Sequence, residues 1–170
     1  GVWCFVGNGL SNQSFIDAPE GIIAIDTGES IEEMNEAISE LRNVSARPIV
    51  AVMYTHFHYV DGTKAVIAEN GGKAVPIWGH EKIAENRRRT ASEIAPAYGR
   101  GLVEQFAMQL PEDGEDGRVN VGLGHFYRNP KHAPFTPGFI EPTHVFGASA
   151  NINVAGLDIE VTHAPSDADD

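Results

Sequence analysis

The residues best suited to chemistry in this sequence lie in the segment THFHYVDG, residues 55–62. His56 and His58 are separated by one residue, and alternate side chains of an extended segment project to the same face. The two imidazoles are therefore predicted to bind one metal ion, while Phe57 points the other way, toward a core. Zn²⁺ suits such ligands, because a catalytic zinc site combines three protein ligands with an open water position. Asp61 is a candidate for a fourth ligand or for a ligand of a second metal.

Two apolar runs are placed to position this segment. Residues 49–54 form an almost continuous apolar stretch directly before the histidines, which is the pattern of a strand covered on both faces of its sheet. Residues 21–26 form a second β-rich run that ends in Asp26. Because both strands are expected to end at the same edge, Asp26 is predicted to orient a ligand imidazole by a hydrogen bond. An Asp in a turn that precedes a helix is an equally good explanation.

Helix signals alternate with these strands. Ser30 and Glu33 form a capping box, and apolar residues then repeat at helical spacing as far as Arg42. Residues 63–70 predict a shorter helix. The predicted strands of the first half of the chain are residues 2–6, 14–16, 21–26, 49–54 and 74–78.

The second half begins with a mostly helical stretch, residues 80–110, which Pro96 and the pair Tyr98 and Gly99 are expected to break into two pieces. Residues 111–142 are rich in Gly, Pro and charge and have little periodicity. They predict an irregular insertion of the kind that is usually functional or faces a partner. The last predicted elements are the two strands of a hairpin, residues 152–154 and 157–162.

Charge and composition argue against some classes of partner and indicate the size of the core. The chain has 12 basic and 24 acidic residues, and its net charge of -12 argues against nucleic-acid and membrane partners. The dense basic run from Arg87 to Arg89 is explained best as a solvated helix face, with anion binding as the alternative. At 170 residues and 42% hydrophobic, the chain can bury one core. No apolar stretch reaches the ~20 residues of a membrane-spanning helix.

The only cysteine is Cys4, so the chain forms no internal disulfide. Its cysteine content is compatible with an oxidising and with a reducing compartment. The sequence begins with Gly1 and not with Met, and no helix or strand signal precedes its last residue, Asp170. We therefore expect the chain to be a piece of something longer.

The order of elements and the segment at residues 55–62 resemble the metallo-β-lactamase superfamily, whose signature after a strand is H-x-H-x-D-H. The resemblance implies an α+β fold, the αββα sandwich of that superfamily, with two sheets between layers of helices. It also implies that HAPSD, residues 163–167, corresponds to the superfamily's H-x-P-G-H turn. The last residue of that turn is the third ligand of the first metal, and Asp167 falls on this position.

Within the superfamily, the alkyl sulfatases resemble this chain best, because they also carry a carboxylate at the third ligand position. The chain is similar to them in APAYGRGL at residues 95–102, in VGLGHFY at residues 121–127 and in the rhythm of residues 7–28. The likeness covers nearly the whole chain. By this resemblance, Tyr98 lines the pocket for the alkyl group of the substrate.

The chain departs from the superfamily signature at one place. In the superfamily, the Asp and the final His of the signature, H-x-H-x-D-H, hold the second metal. With His56 and His58 aligned, Val60 takes the position of that Asp, and Asp61 takes the position of the final His. Val60 has no donor atom, whereas Asp61 can bind a metal or act as a base that orients the attacking water. The bridging carboxylate and further His that complete the family's site would lie beyond Asp170.

The resemblance implies metal-dependent hydrolysis of an alkyl sulfate ester, with one or two Zn²⁺ ions as cofactor. His56, His58 and Asp167 would hold the first ion, which activates a water molecule and stabilises charge on the departing sulfate. Two alternatives stay open. The first is that the chain belongs to another hydrolase of the same fold, which acts on a lactam, lactone, thioester or phosphate ester. The second is that it is a non-catalytic member of the fold whose second metal site has degraded.

The resemblance places the chain in the N-terminal part of the catalytic domain, with the first sheet, its helices and the start of the second sheet. Left alone, the second sheet would expose an apolar face and a bare edge. We therefore expect the rest of the same catalytic domain as a partner, beside a small-molecule ester substrate. Family analogy adds a homodimer and a periplasmic or secreted bacterial location as expectations.

Overall fold

A six-stranded sheet organises this computed structural model, which describes residues 1–121, 124 and 126–164. The strands lie side by side in chain order. The first two pairings are antiparallel and the other three are parallel. The strands are β1 (Val2–Phe5), β2 (Gln13–Ala18), β3 (Gly21–Ile25), β4 (Ile49–Met53), β5 (Ile77–His80) and β6 (His144–Phe146).

Four α-helices lie in the described part of the chain. The helix that follows β3 begins as predicted, since Glu33 N donates to the capping hydroxyl of Ser30 at 3.1 Å. None of the four combines the length and the apolar character needed to cross a bilayer. The helices are α1 (Ile31–Arg42), α2 (Thr63–Glu69), α3 (Ile83–Ala91) and α4 (Ala95–Gln105), and a 3₁₀ turn covers Pro130–His132.

The last two strands, β7 (Ser149–Val154) and β8 (Leu157–Thr162), form a separate two-stranded antiparallel sheet. It packs on the face of the large sheet opposite to α1 and α2. In β3, Ile22 and Ala24 belong to the core shared with those helices, whereas Ile23 packs with the two-stranded sheet. Burial on both faces explains why the sequences of β3 and β4 are apolar without alternation.

The structure differs from the sequence prediction in the second half of the chain. Strand β5 begins at Ile77, three residues later than predicted, and the short edge strand β6 was not predicted. Helix α4 runs through Tyr98 and Gly99, so the predicted break there is wrong. Pro96 stands in the first turn of that helix, where its missing N–H removes no helical hydrogen bond. The break falls instead at residues 92–94, before α4.

Candidate functional site

The candidate site lies where β3 and β4 end at the same edge of the sheet. Hydrogen bonds tie the loop after β4 to the loop after β3. Asp26 N donates to Met53 O at 2.9 Å, and Thr27 N donates to Tyr59 O at 2.7 Å. The two loops also meet in a parallel bridge between Gly28 and Val60. The residues that follow these two neighbouring strands therefore form one surface, as the positions of the two apolar runs predict.

His56 and His58, called the histidine pair below, lie side by side on the loop after β4. The extended segment predicted here is wrong, because β4 ends at Met53 and the chain bends through residues 55–59. The bends still bring the two rings together edge to face, with centroids 5.7 Å apart and an interplanar angle of 78°. Phe57 between them is buried in the core, as predicted.

Thr55 joins Asp26 to the first histidine. The carboxylate of Asp26 accepts hydrogen bonds from Thr55 N at 2.9 Å and from Thr55 Oγ1 at 2.6 Å. Thr55 Oγ1 lies 2.8 Å from His56 Nδ1, and Asp26 Oδ2 lies 4.0 Å from that nitrogen. Burial raises the pKa of Asp26, while the hydrogen bonds from Thr55 lower it. Thr55 thus lies between Asp26 and His56, for which the sequence analysis predicted a direct hydrogen bond.

This chain of contacts selects the tautomer of His56. The hydroxyl of Thr55 has one proton, which it donates to Asp26. Toward the imidazole the hydroxyl must therefore accept, which places the ring proton of His56 on Nδ1. The Nε2 atom of His56 then carries the free lone pair that a metal ion needs.

Tyr98 brings helix α4 onto the second histidine. Its hydroxyl lies 2.7 Å from His58 Nε2, and the two rings are stacked with an interplanar angle of 15° and centroids 6.0 Å apart. One turn further along α4, Leu102 packs against an apolar cluster that contains Leu10, Phe106 and Val121. Helix α4 therefore places the phenol of Tyr98 on His58, with an apolar cluster one turn away.

Asp61 is paired with Arg87 of helix α3. The Nη2 atom of Arg87 donates to Oδ1 of Asp61 at 2.7 Å and to Oδ2 at 2.9 Å. The expectation of a solvated face is therefore wrong for Arg87, whose side chain is 27% exposed. It holds for Arg88, which is 65% exposed and contacts Glu141 at 3.3 Å.

Two of the three predicted metal ligands, His56 and His58, lie in the described part of the chain. No three His, Cys, Asp or Glu side chains within residues 1–121, 124 and 126–164 come together in an arrangement that holds a metal. The predicted third ligand, Asp167, lies outside the described residues. The described donors are the two imidazoles of His56 and His58, and Asp26 orients the first of them through Thr55. Such donors suit a first metal ion. They do not suit a second ion, because Val60 is fully buried and Asp61 is bonded to Arg87.

Sequence reasoning missed a buried polar cluster beside this site. Glu33 N donates to the capping residue Ser30, while the Glu33 carboxylate accepts hydrogen bonds from Gln13 Nε2 at 2.6 Å and from Glu29 N at 3.1 Å. Burial, with a smaller contribution from the Glu33 carboxylate, raises the pKa of Glu29 to about 7, and Arg128 opposes the rise. These residues come together only in the folded chain, so no local motif reveals the cluster.

Comparison with known proteins gives one sequence relative and several solved structures. A linear primary-alkylsulfatase from a Pseudomonas species is 36% identical over 160 residues, which cover 91% of this chain and 29% of that protein. The chain thus spans less than a third of that relative's length. No protein-family model matches the chain.

Two solved structures illustrate the structural likeness. A stereoselective inverting sec-alkylsulfatase from Pseudomonas sp. is 20% identical, with a TM-score of 0.79 over 95% of this chain and 26% of that one. A metallo-β-lactamase family protein from Thermus thermophilus is 13% identical, with a TM-score of 0.57 over 95% of this chain and 51% of that one.

Proposed function

Because this chain is a member of the metallo-β-lactamase superfamily and is similar to part of an alkylsulfatase, we propose that it supplies metal-binding residues of a hydrolase. The proposed reaction is metal-dependent hydrolysis of alkyl sulfate esters. The proposed ligands of a Zn²⁺ ion are His56, His58 and Asp167. When bound, such an ion makes hydroxide available near neutral pH and stabilises charge that develops on the departing sulfate.

The observation that carries this proposal is the hydrogen-bond chain from Asp26 through Thr55 to Nδ1 of His56. A metal-binding imidazole normally donates its other N–H to a carboxylate, a carbonyl or a water molecule, which fixes the ring. Here the Nδ1 proton of His56 is directed to Thr55, whose own proton is held by Asp26.

The surroundings of the histidine pair also suit an ester with an alkyl group. We propose that Tyr98 contacts the substrate, since its hydroxyl lies beside His58 Nε2. The apolar cluster around Leu102 and Phe106 lies next to Tyr98, and Tyr59 from the loop after β4 packs against this cluster. An alkyl chain bound there would lie against apolar side chains, and its sulfate would face the imidazoles.

The test is the activity and metal content of the His58→Ala variant in the full-length protein. We expect the variant to lose hydrolysis of an alkyl sulfate and to lose bound zinc, because one of three ligands is removed. His144→Ala is a matched control, since His144 is exposed on β6. Higher activity on a lactam, lactone, thioester or phosphate ester than on the alkyl sulfate would favour another hydrolase. Less than one metal ion per chain after dialysis would favour a non-catalytic member.

A further inference from the structure

We propose that the guanidinium of Arg87 takes the place of a second metal ion at Asp61, so that Asp61 positions the loop after the histidine pair and is not a metal ligand. The inference rests on the proposed function, because it concerns the metal content of the same site. It predicts a protein with one ion, held by the histidine pair and Asp167.

The first observation is that Arg87 engages both carboxylate oxygens of Asp61, at 2.7 and 2.9 Å. The side chain of Asp61 is 15% exposed and that of Arg87 is 27% exposed, so the pair is partly shielded from water and from salt. The backbone of Asp61 is held as well, since its N–H donates to Gly28 O at 3.0 Å. A metal ion at Asp61 would have to displace a hydrogen-bonded cation of the same sign.

The second observation is that Arg87 is itself fixed from the other side. Its guanidinium lies over the ring of Phe139, 5.1 Å from the ring centroid, and Phe139 contacts Tyr54 with centroids 6.1 Å apart. Tyr54 is buried in the main core. A planar cation that stacks on an aromatic ring and forks to a carboxylate is a role that Arg fills and Lys does not. The contacts join helix α3 to the histidine loop through the core.

The third observation concerns the two positions at which the chain departs from the superfamily signature. Val60 is fully buried, packs in the main core and forms the bridge to Gly28. The position that carries a metal ligand in the signature is thus filled by a core residue. The other position, Asp61, keeps an acidic side chain, and the guanidinium of Arg87 is bound to both of its carboxylate oxygens.

The experiment is a double-mutant cycle with metal analysis on the full-length protein. The variants are Asp61→Asn, Arg87→Met and the double variant, and the exposed pair supplies the matched controls Glu141→Gln and Arg88→Met. We expect Asp61→Asn to keep the zinc content of the parent protein, at one ion per chain. We expect each single substitution to lower Tm, and the double variant to fall by less than the sum of the two, because the residues interact directly. The control substitutions should leave Tm nearly unchanged.

Loss of zinc from Asp61→Asn, or two ions per chain in the parent protein, would overturn the inference, as would additive changes in Tm. If the parent protein binds no metal, the proposed function fails, while the coupling in Tm still decides whether Arg87 balances Asp61. Arg87→Lys serves if the Met variant does not fold. It keeps the charge and loses the planar fork, so we expect a smaller fall in Tm with unchanged zinc content.

Discussion

At the scale of single residues, the hydroxyl of Thr55 decides which nitrogen of His56 carries the ring proton, and so which nitrogen would bind the proposed metal ion. Thr55→Val removes that hydroxyl with little change in shape, and leaves Nδ1 of His56 without its acceptor. We expect zinc affinity to fall by about 10- to 100-fold, the usual effect of losing an outer hydrogen-bond partner of a ligand. Stability should also fall, by about 1 to 3 kcal/mol, because the shielded carboxylate of Asp26 loses the Thr55 hydroxyl as a donor.

Zinc titration by calorimetry measures this change, and Thr55→Ser is the matched control. Serine keeps the hydroxyl and should keep the affinity. Equal affinities for the valine variant and the parent protein would mean that Asp26 does not act on His56 through Thr55.

Glu29 makes the stability of the protein depend on pH. Its pKa of about 7 in the folded chain lies above the ordinary 4.5, so the folded state binds the proton more tightly than the unfolded state. The free energy of unfolding contributed by Glu29 therefore falls as pH rises from about 4.5 to 7 and is constant above that range. Glu29→Gln should abolish the fall, and it should be more stable than the parent at pH 8 by on the order of 1 to 3 kcal/mol.

Urea denaturation at pH 4.5 and pH 8 measures the difference between the variant and the parent. Glu36→Gln is the control, since Glu36 is exposed on α1. A difference between Glu29→Gln and the parent that does not change with pH would show that Glu29 ionises like a solvated carboxyl.

At the scale of elements, the start of α2 depends on the absence of a side chain at Gly62. A Cβ at this position would overlap with the carbonyl oxygen of Thr27 and with Cβ of Met34, and would lie 2.9 Å from the carbonyl oxygen of Ser30. The close approach of α2 to α1 and to the loop after β3 fixes the entry of the chain into α2. We expect Gly62→Ala to destabilise the protein by about 3 kcal/mol, because all three are backbone or core atoms that cannot move freely.

Thermal unfolding measures this loss, and Gly99→Ala is the matched control. Gly99 lies inside α4, and a Cβ there would meet no atom within 4 Å. Alanine is the better helix former, so the control should gain up to about 1 kcal/mol. A Gly62→Ala variant as stable as the parent would contradict the packing of α2 described above.

At the scale of the whole molecule, Val154 joins the two-stranded sheet to the six-stranded sheet. It is 2% exposed and packs with Ala18, Ile23 and Ala51 from the face opposite to the helices. Val154→Ala removes two buried methyl groups and leaves a cavity, so we expect a loss of about 2 kcal/mol in the free energy of unfolding. Hydrogen exchange should also quicken in β7 and β8.

Asn151→Ala is the control for that experiment, because Asn151 lies on the same strand and is exposed. Its substitution should change stability by less than ~0.5 kcal/mol. Equal losses in the two variants would show that the two-stranded sheet does not pack on the large sheet through Val154.

The layers of the molecule confirm the predicted fold class. Helices α1 and α2, the six-stranded sheet and the two-stranded sheet follow one another, and the solved neighbours have the metallo-β-lactamase fold. The rest of the catalytic domain as a partner, the homodimer and the bacterial location stay predictions.

The sequence by itself determined the features that depend on neighbours in the chain. The capping box at Ser30 and the helical spacing after it give α1, and unbroken apolar runs give β3 and β4. The position of the histidine pair after β4 was also predictable, whereas the bends that bring its two rings together were not. Local hydrogen bonding and burial act over a few residues, and a sequence displays them directly.

Only the tertiary structure decided the partners of the site residues. Arg87 reaches Asp61 across 26 positions of the chain, and Tyr98 reaches His58 across 40. Asp26 acts on His56 through Thr55, which no spacing in the sequence indicates. The physical reason is that a carboxylate, a guanidinium or a phenol binds whichever complementary group folding brings within about 3 Å, and that distance depends on packing of the whole chain.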